Sequence, residues 1–472
     1  MKIVMKFGGS SVADGPRIAQ VADLIKRHRT SQQQIVVVSS AMNGVTDQLI
    51  MMAENSLRGR ESQVQTDFQD LKARHLQAVE EAELTEDLKH GTVAAVSNLL
   101  YELERVLNGI SVVRELSPRI RDYTLSFGER LLIPILRSAL QSRHLPSRDF
   151  TGGEAGIVSD EAFGEARPLM NVTRMRVQQH LQPLLQEGIV PVVAGFTALT
   201  QHGDITTLGR GGSDYTATIL GSALDADEVW IWTDVDGIMT ANPRIVKEAR
   251  VIPQLSYAEA VEMTIFGAKA MHPRALEPVL QPRIPVRVKN TFNASLPGTL
   301  ITPDQAADSG LIAKAVAYVP DIAIVSVGGA SMAGLPGTAG RVFEILGKQR
   351  INVLMISQSV SESNITMVVR RGHLQKAVSA LELGLLGRGE VKDVNYEDDV
   401  SIVALIGAGM RGTRGVAARV FRAVADRGIN VIMIAQGSSE LNISFAVNER
   451  DGVEAVRALH DEFRLGTPEP HL

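Results

Sequence analysis

The chain repeats itself, and that constrains its fold more than any other feature. Residues 337–369, GTAGRVFEILGKQRINVLMISQSVSESNITMVV, align without gaps to residues 415–447, GVAARVFRAVADRGINVIMIAQGSSELNISFAV, with 16 of the 33 positions identical and an offset of 78 residues. A duplicated supersecondary unit buries its apolar face against its own copy. Each copy reads strand, helix, strand, strand, helix. The repeat therefore predicts two small α+β modules, at 319–396 and 397–472.

The first 292 residues have a different grammar. Short runs rich in Val and Ile at 3–7, 35–39, 189–194, 229–233 and 284–289 alternate with helical patterns such as 17–29 and 267–280. That alternation predicts an α/β domain with a mostly parallel sheet covered on both faces. Residues 50–145 are rich in Glu, Gln, Leu, Arg and Ala and read as a helical insertion. After Asn293 the stretch NASLPGTLITPDQAADSG is polar, with two prolines and two glycines, so 293–318 reads as a linker.

Composition removes several function classes. There is no cysteine among the 472 residues, which excludes disulfides, thiolate metal sites and cysteine nucleophiles. A net charge of −5, from 48 basic and 53 acidic residues, offers no field for nucleic acid or an anionic membrane. No apolar run approaches the roughly 18–20 residues of a membrane span. The opening MKIVMKFGG reads as a first strand and not as a signal peptide, so a cytoplasmic protein is expected.

Four glycine- or charge-bearing turns follow predicted strands or open predicted helices. KFGGSS (6–11) ends the first strand, and its glycines let backbone N–H groups approach phosphate beside Lys6. Alone, it reads better as an ordinary βα turn with a lysine reaching to solvent. GRGGSD (209–214) packs a cation, a carboxylate and three glycines ahead of a helix, a pattern suited to anion binding. TDVDG (233–237), followed by Asn242, Pro243 and Arg244, stands at a strand's carboxyl end, where open α/β sheets bind ligands. FGAKAMHP (266–273) places Lys269 early in a helix, and His272 reads as structural, since no second histidine stands at metal spacing. No metal site is expected. A fifth motif, GAGMRG (407–412), matches the dinucleotide fingerprint, but the following strand ends in Gln436 where a ribose needs an acidic residue. NAD binding is set aside.

KFGGSS, SSAMNGVT (39–46), SFGER (126–130), GRGGSDYTA, TDVDG, FGAKAMHP and VKNT (288–291) occur in one order, and the whole chain resembles the aspartate kinases, its tail being similar to their paired ACT domains. The resemblance implies an amino-acid-kinase fold and phosphorylation of the L-aspartate side chain by ATP with Mg²⁺. It implies catalytic roles for Lys6, Asp214 and Lys269. Aspartate would be held by Ser40, Thr46, Glu129, Arg210, Gly211, Gly212 and Ser213. Nucleotide contacts fall to Lys6, Gly8, Gly9, Ser10, Thr233, Asp234, Met239, Arg244 and Lys269. Met239 stands where many relatives carry tyrosine, and Asn242 where aspartate is common; an altered ATP affinity is the expected consequence.

In the tail, Met332, Gln358, Asn364, Gln436 and Asn442 match effector positions, and the Gln–Asn pair recurs 78 residues apart. Lysine-responsive relatives often have aspartate at the position of Leu354, which favours threonine over lysine as effector. Pairing of chains through the ACT modules is a further expectation. Two other readings stay open: a catalytically inactive amino-acid sensor, and a kinase of the same fold acting on another carboxylate. A fused homoserine dehydrogenase is not expected, because the sequence stops at Leu472.

Overall fold

The computed structural model describes residues 1–30, 32–266, 271–303, 311–329, 332, 336–361, 363–386 and 391–467. These form two compact units.

The first unit is built on strands β1 (Lys2–Phe7), β2 (Gln34–Ser39), β3 (Ser147–Phe150), β4 (Val158–Ser159), β5 (Val190–Ala194), β6 (Thr197–Thr200), β7 (Ile205–Thr207), β8 (Glu228–Thr233), β9 (Gln254–Ser256), β10 (Val286–Asn290) and β11 (Thr299–Thr302). Eight of them make one sheet in the order β3-β5-β2-β1-β8-β10-β11-β9. Every pairing from β3 to β10 is parallel; only β10 with β11 runs antiparallel. Ile3, Val4 and Met5 are wholly buried, so β1 is covered on both faces, as its unbroken apolar run predicts.

Helices α1 (Gly15–His28), α2 (Val45–Leu57), α3 (Glu61–Glu81), α4 (Glu86–Val113), α5 (Pro118–Leu125), α6 (Phe127–Ser142), α7 (Met170–Gln186) and α8 (Gly212–Ala223) pack around the sheet. In α1, Asp14 caps the first turn by accepting from Arg17 N (2.9 Å), and Ile18, Val21, Ala22 and Ile25 line the buried face. The expected insertion is present as α2 to α6. Its core is knitted to the sheet by Leu71, Leu103, Phe127 and Leu132.

Within α3 lies a fully buried imidazole. His75 Nδ1 is 2.8 Å from Leu71 O, while Nε2 has no hydrogen-bond partner among the described residues. Burial, against the Leu71 carbonyl and helped by Arg74, lowers its pKa from 6.5 to about 4. The unfolded chain takes up a proton below pH 6.5 that the folded chain refuses until pH 4. Stability is therefore lost as pH falls through that window, by up to about 3 kcal/mol. Urea melts at pH 7.5 and 4.5 check this: His75→Leu should lose less stability on acidification than the parent, and equal losses would contradict it.

The sequence expectation of a helix over 267–280 is corrected. Residues 267–270 lie outside the described residues. Beyond them His272 is extended (φ −89°, ψ 141°), a short 3₁₀ turn covers Pro273–Leu276, and α10 is only Glu277–Leu280. Pro273 disfavours helical geometry at the preceding residue and has no N–H to give.

The second unit is built on β12 (Ala315–Gly328), β13 (Met355–Gln358), β14 (Asn364–Arg370), β15 (Asp393–Ile406), β16 (Val431–Ala435) and β17 (Asn442–Asn448), an antiparallel sheet in the order β13-β14-β12-β15-β17-β16. Its helices are α11 (Thr338–Lys348), α12 (Leu374–Leu385), α13 (Val416–Ala425) and α14 (Glu449–Glu462). The duplication is visible in the register: β14 and β17 start and end 78 residues apart, as the sequence repeat requires. Arg371 and Glu449, themselves 78 apart, form an ion pair with one another.

Two expected boundaries need correction. The 293–318 segment is not only a linker: β11 joins the eight-stranded sheet as a hairpin partner of β10, and 315–319 opens β12. That opening pairs with 402–406 of β15, so the second copy's sheet includes residues ahead of the first copy. The 1–292 stretch also does not stay in one unit. Met239–Ile252 and Ala258–Ala268, the latter covering most of helix α9 (Tyr257–Ile265), pack with the second unit. Glu259 explains the attachment: its carboxylate accepts from Lys314 Nζ (3.0 Å) and from Ala408 N (2.9 Å).

Candidate active site

β2, β1 and β8 are neighbours, and their carboxyl ends gather most of the expected residues in one place. Lys6 points from the end of β1 to Asp214 in the first turn of α8, with Nζ 2.5 Å from Oδ1 and both side chains 11% exposed. Gly8 N donates to Trp232 O (3.1 Å), tying the β1 turn to β8. Ser40 N donates to Phe7 O (3.0 Å), tying it to β2. Gly9 is needed because a Cβ there would lie 2.8 Å from Ala41 O. Ser10 is held through its carbonyl, which accepts from Arg17 Nη1 (2.8 Å).

Glu129, in the first turn of α6, is buried next to this pair. Burial pushes its carboxyl up to about 8, opposed by N–H groups of Ala41 and of Glu129 itself and by the charge of Lys6. Among the described residues its Oε2 has no hydrogen-bond partner. A buried carboxyl with one oxygen left unsatisfied inside a site is an invitation to a cation that arrives with a ligand. Thr46 opens α2 beside Gly128, and Ser213 packs on Gly195 at the end of β5.

The GRGG turn is shaped by close approach. Gly211 has φ +72° and a Cβ there would lie 2.3 Å from His272 Cβ. Gly211→Ala combines a left-handed penalty of roughly 1–2 kcal/mol with that clash. Tm and turnover should therefore fall together, and a variant as stable and active as the parent would contradict the reading. Arg210 is exposed and Gly212 buried. His272 caps the following turn, accepting from Arg274 N (3.3 Å). Its pKa is lowered by burial, then by Arg274 and Arg210, with Asp214 acting the other way. His272, which the sequence marks as structural, lies against the GRGG turn, a contact that no local sequence signal encodes.

Thr233 and Asp234 stand at the end of β8, where Thr233 Oγ1 donates to Asp234 Oδ1 (3.2 Å). Not all expected residues sit in this unit. Met239 and Arg244 lie on the segment that packs with the second unit, and Lys269 lies outside the described residues. In the tail, Gln358, Asn364 and Gln436 are exposed at strand ends. Asn442 Nδ2 donates to Glu262 Oε2 of α9 (2.6 Å). Met332 is 2% exposed in the first module's core, so its side chain is not offered to a ligand at that surface.

These features define an α/β protein that presents glycine turns, a paired lysine and a buried carboxyl at adjacent strand ends. The amino acid kinase family model matches residues 1–290, and an ACT domain model matches 325–383 and 403–463. The chain is 34% identical to Pseudomonas putida aspartate kinase over 99% of its own length and 98% of that protein. It is also 34% identical to the Zea mays chloroplastic bifunctional aspartokinase/homoserine dehydrogenase 1, spanning about half the length of that relative. The crystal structure of E. coli aspartokinase III with aspartate and ADP (R-state) matches with a TM-score of 0.82 and 29% identity, covering 98% of this chain and 99% of that one. The same enzyme with lysine and aspartate (T-state) matches at 0.80. The chain belongs to the aspartate kinases of the amino acid kinase family. No helix among the described residues is long and apolar enough to cross a membrane.

Proposed function

We propose that the chain transfers the γ-phosphoryl group of ATP to the side-chain carboxylate of L-aspartate, giving 4-phospho-L-aspartate and ADP. The observation that carries this is the Lys6–Asp214 pair beside the buried carboxyl of Glu129, whose Oε2 has no hydrogen-bond partner among the described residues. A carboxylate nucleophile is already ionised at neutral pH, so no general base is required. Its oxygen forms a bond to the γ-phosphorus as the bond to the ADP oxygen breaks. The protein's task is to align the two and to neutralise the charge that spreads over the transferring group.

In this reading Lys6 and Lys269 supply that charge, Asp214 fixes Lys6, and Gly8, Gly9 and Ser10 give the phosphates room and donors. Arg210 clamps an aspartate carboxylate. Glu129 receives the ammonium group, with Ser40, Thr46, Gly211, Gly212 and Ser213 completing the cradle. Thr233, Asp234, Met239 and Arg244 hold the nucleotide, a thioether packing on the base where relatives have a phenol. Among the described residues no three His, Cys, Asp or Glu side chains are grouped to hold a metal ion. Mg²⁺ would take its ligands chiefly from phosphates and water, and would neutralise phosphate charge.

The reading extends to regulation. Gln358, Asn364, Gln436 and Asn442 are assigned to a feedback amino acid, threonine or lysine, and the lysine-bound T-state relative supports an effector of this class. Only the backbone of Met332 would take part. The product feeds synthesis of lysine, threonine and methionine, in the cytoplasm, by a homo-oligomer joined through its ACT modules. Hydroxylamine trapping of acyl phosphate tests the proposal, with aspartate, glutamate and acetylglutamate each assayed with ATP and Mg²⁺, with and without threonine and lysine. Turnover of aspartate alone, suppressed by one effector, is expected. No turnover with any acid, while an effector still raises Tm, would replace the kinase with a sensor.

A further inference from the structure

Thr240 uses every polar group it has, on three different elements. Its N–H donates to Arg250 O (2.8 Å), and Arg250 N donates back to its Oγ1 (3.0 Å). Its carbonyl accepts from Val316 N in β12 (2.8 Å). Its Oγ1 stands 3.1 Å from Nε2 of His460, a residue of α14 that is 2% exposed. With one lone pair of Oγ1 taken by Arg250, its proton and its second lone pair both remain for the imidazole, and the ring tautomer sets which partner donates. Burial favours the neutral ring; Asp461 and Glu248 act against this, and Arg250 with it.

This junction sits at the base of a closed loop. Met239 bridges Val251, Thr240 bridges Arg250, and Arg250's side chain reaches Leu465 O (Nε, 3.4 Å). Ala241 and Val246 join the core of the second module. Between them Asn242, Pro243 and Arg244 stay exposed, with Arg244 N donating to Asn242 Oδ1 (3.0 Å). The loop's foot is thus fixed by the second repeat while its tip is free to meet a ligand.

We infer that His460, acting through Thr240, is a positioning residue for the nucleotide: it sets the foot of the 239–252 loop and so the presentation of Met239 and Arg244. The inference rests on the reading of those two residues as nucleotide contacts. It makes the last helix of a regulatory repeat a determinant of ATP affinity, with no effector bound.

The test is steady-state kinetics of the full chain, with hydroxylamine trapping and aspartate saturating, for His460→Ala, His460→Gln, Thr240→Val and Arg244→Ala. His460→Ala should raise KM for ATP about ten-fold, with kcat and KM for aspartate within about two-fold, the loss of one buried hydrogen bond. Gln, whose amide reaches the place of Nε2, should restore most of the affinity. Thr240→Val removes the same bond from the other side, should reproduce the KM shift, and should add little to His460→Ala in the double variant. An unchanged KM for ATP in Arg244→Ala would remove the nucleotide reading itself. A raised KM in Arg244→Ala with none in His460→Ala and Thr240→Val, or a fall in kcat with both KM values moved alike, would overturn the positioning role.

Discussion

Lys6→Met will lower acyl-phosphate formation by about a thousand-fold or more, with a far smaller change in nucleotide affinity. The lysine is held at the β1 turn by a carboxylate, 2.5 Å from Asp214. Removing a preorganised donor aimed at developing charge costs about 10²–10³ in rate, and a full positive charge in a partly buried site costs more. Methionine keeps the length and loses the charge, so the loss reports electrostatics and not packing. Asp214 would be left without its cation, which destabilises the fold by on the order of 3 kcal/mol. Asp214→Asn separates the two effects. It leaves Lys6 charged but poorly aimed, and turnover should fall less than in Lys6→Met while Tm is better kept. Single-turnover phosphoryl transfer alongside thermal melts measures both. A Lys6→Met protein that folds and retains more than a tenth of the parent rate would contradict the role.

Glu129→Gln should weaken aspartate binding by about ten- to a hundred-fold and, at the same time, raise stability at pH 7. The first effect is the loss of a charge-assisted hydrogen bond, about 1.5–3 kcal/mol. The second follows from linkage. Burial holds the folded-state pKa near 8, against 4.5 in the unfolded chain. Between those values the unfolded chain releases a proton that the folded chain keeps, so stability is full below pH 4.5 and falls as pH rises toward 8. By pH 7 the loss is on the order of 3 kcal/mol, and glutamine does not incur it. The gain should vanish at pH 4. The parent should also release close to one proton when aspartate's ammonium group meets this carboxyl at pH 7. Calorimetry in buffers of different ionisation enthalpy would detect that release, and no release would place the ammonium elsewhere. The site thus gives up stability to hold a carboxyl ready for a cation, a common trade at ligand sites.

Much of the fold was legible because its signals are local. Parallel strands buried on both faces are unbroken apolar runs, so 3–7 and 35–39 announced β1 and β2 directly. The repeat was read from identity alone, and β14 and β17 fall at its offset. What escaped is non-local or depends on one residue's geometry. Pro273 breaks an amphipathic pattern that otherwise reads as helix through 267–280. β11 hides in a polar stretch because its pairing with β10 and β9 is what makes it a strand. The attachment of α9 to the repeats rests on Glu259 finding Lys314 and the Ala408 N–H, 55 and 149 residues away. No spacing rule encodes such contacts.

The same division holds at the site. Lys6, Gly8, Gly9 and Asp214 were legible because glycine turns with a charge at strand ends form a short vocabulary. Glu129 entered by family resemblance, and its unusual protonation became readable only from burial. The close contact of His272 with Gly211 had no sequence signal at all. Met332 shows the converse: resemblance placed it at an effector surface, and the described core holds it inside.

The most direct measurement follows one oxygen atom. L-aspartate carrying ¹⁸O in its side-chain carboxylate would be incubated with the chain, ATP and Mg²⁺, and the product cleaved by hydroxylamine, which attacks the acyl carbon and releases phosphate. If that carboxylate attacks the γ-phosphorus, the bridging ¹⁸O leaves with the phosphate and shifts its ³¹P resonance. Labelled phosphate equal in amount to the ADP formed, corrected for the label's enrichment, is the expected result. ADP formation with unlabelled phosphate would contradict it, because water and not the substrate carboxylate would then be the nucleophile at this site.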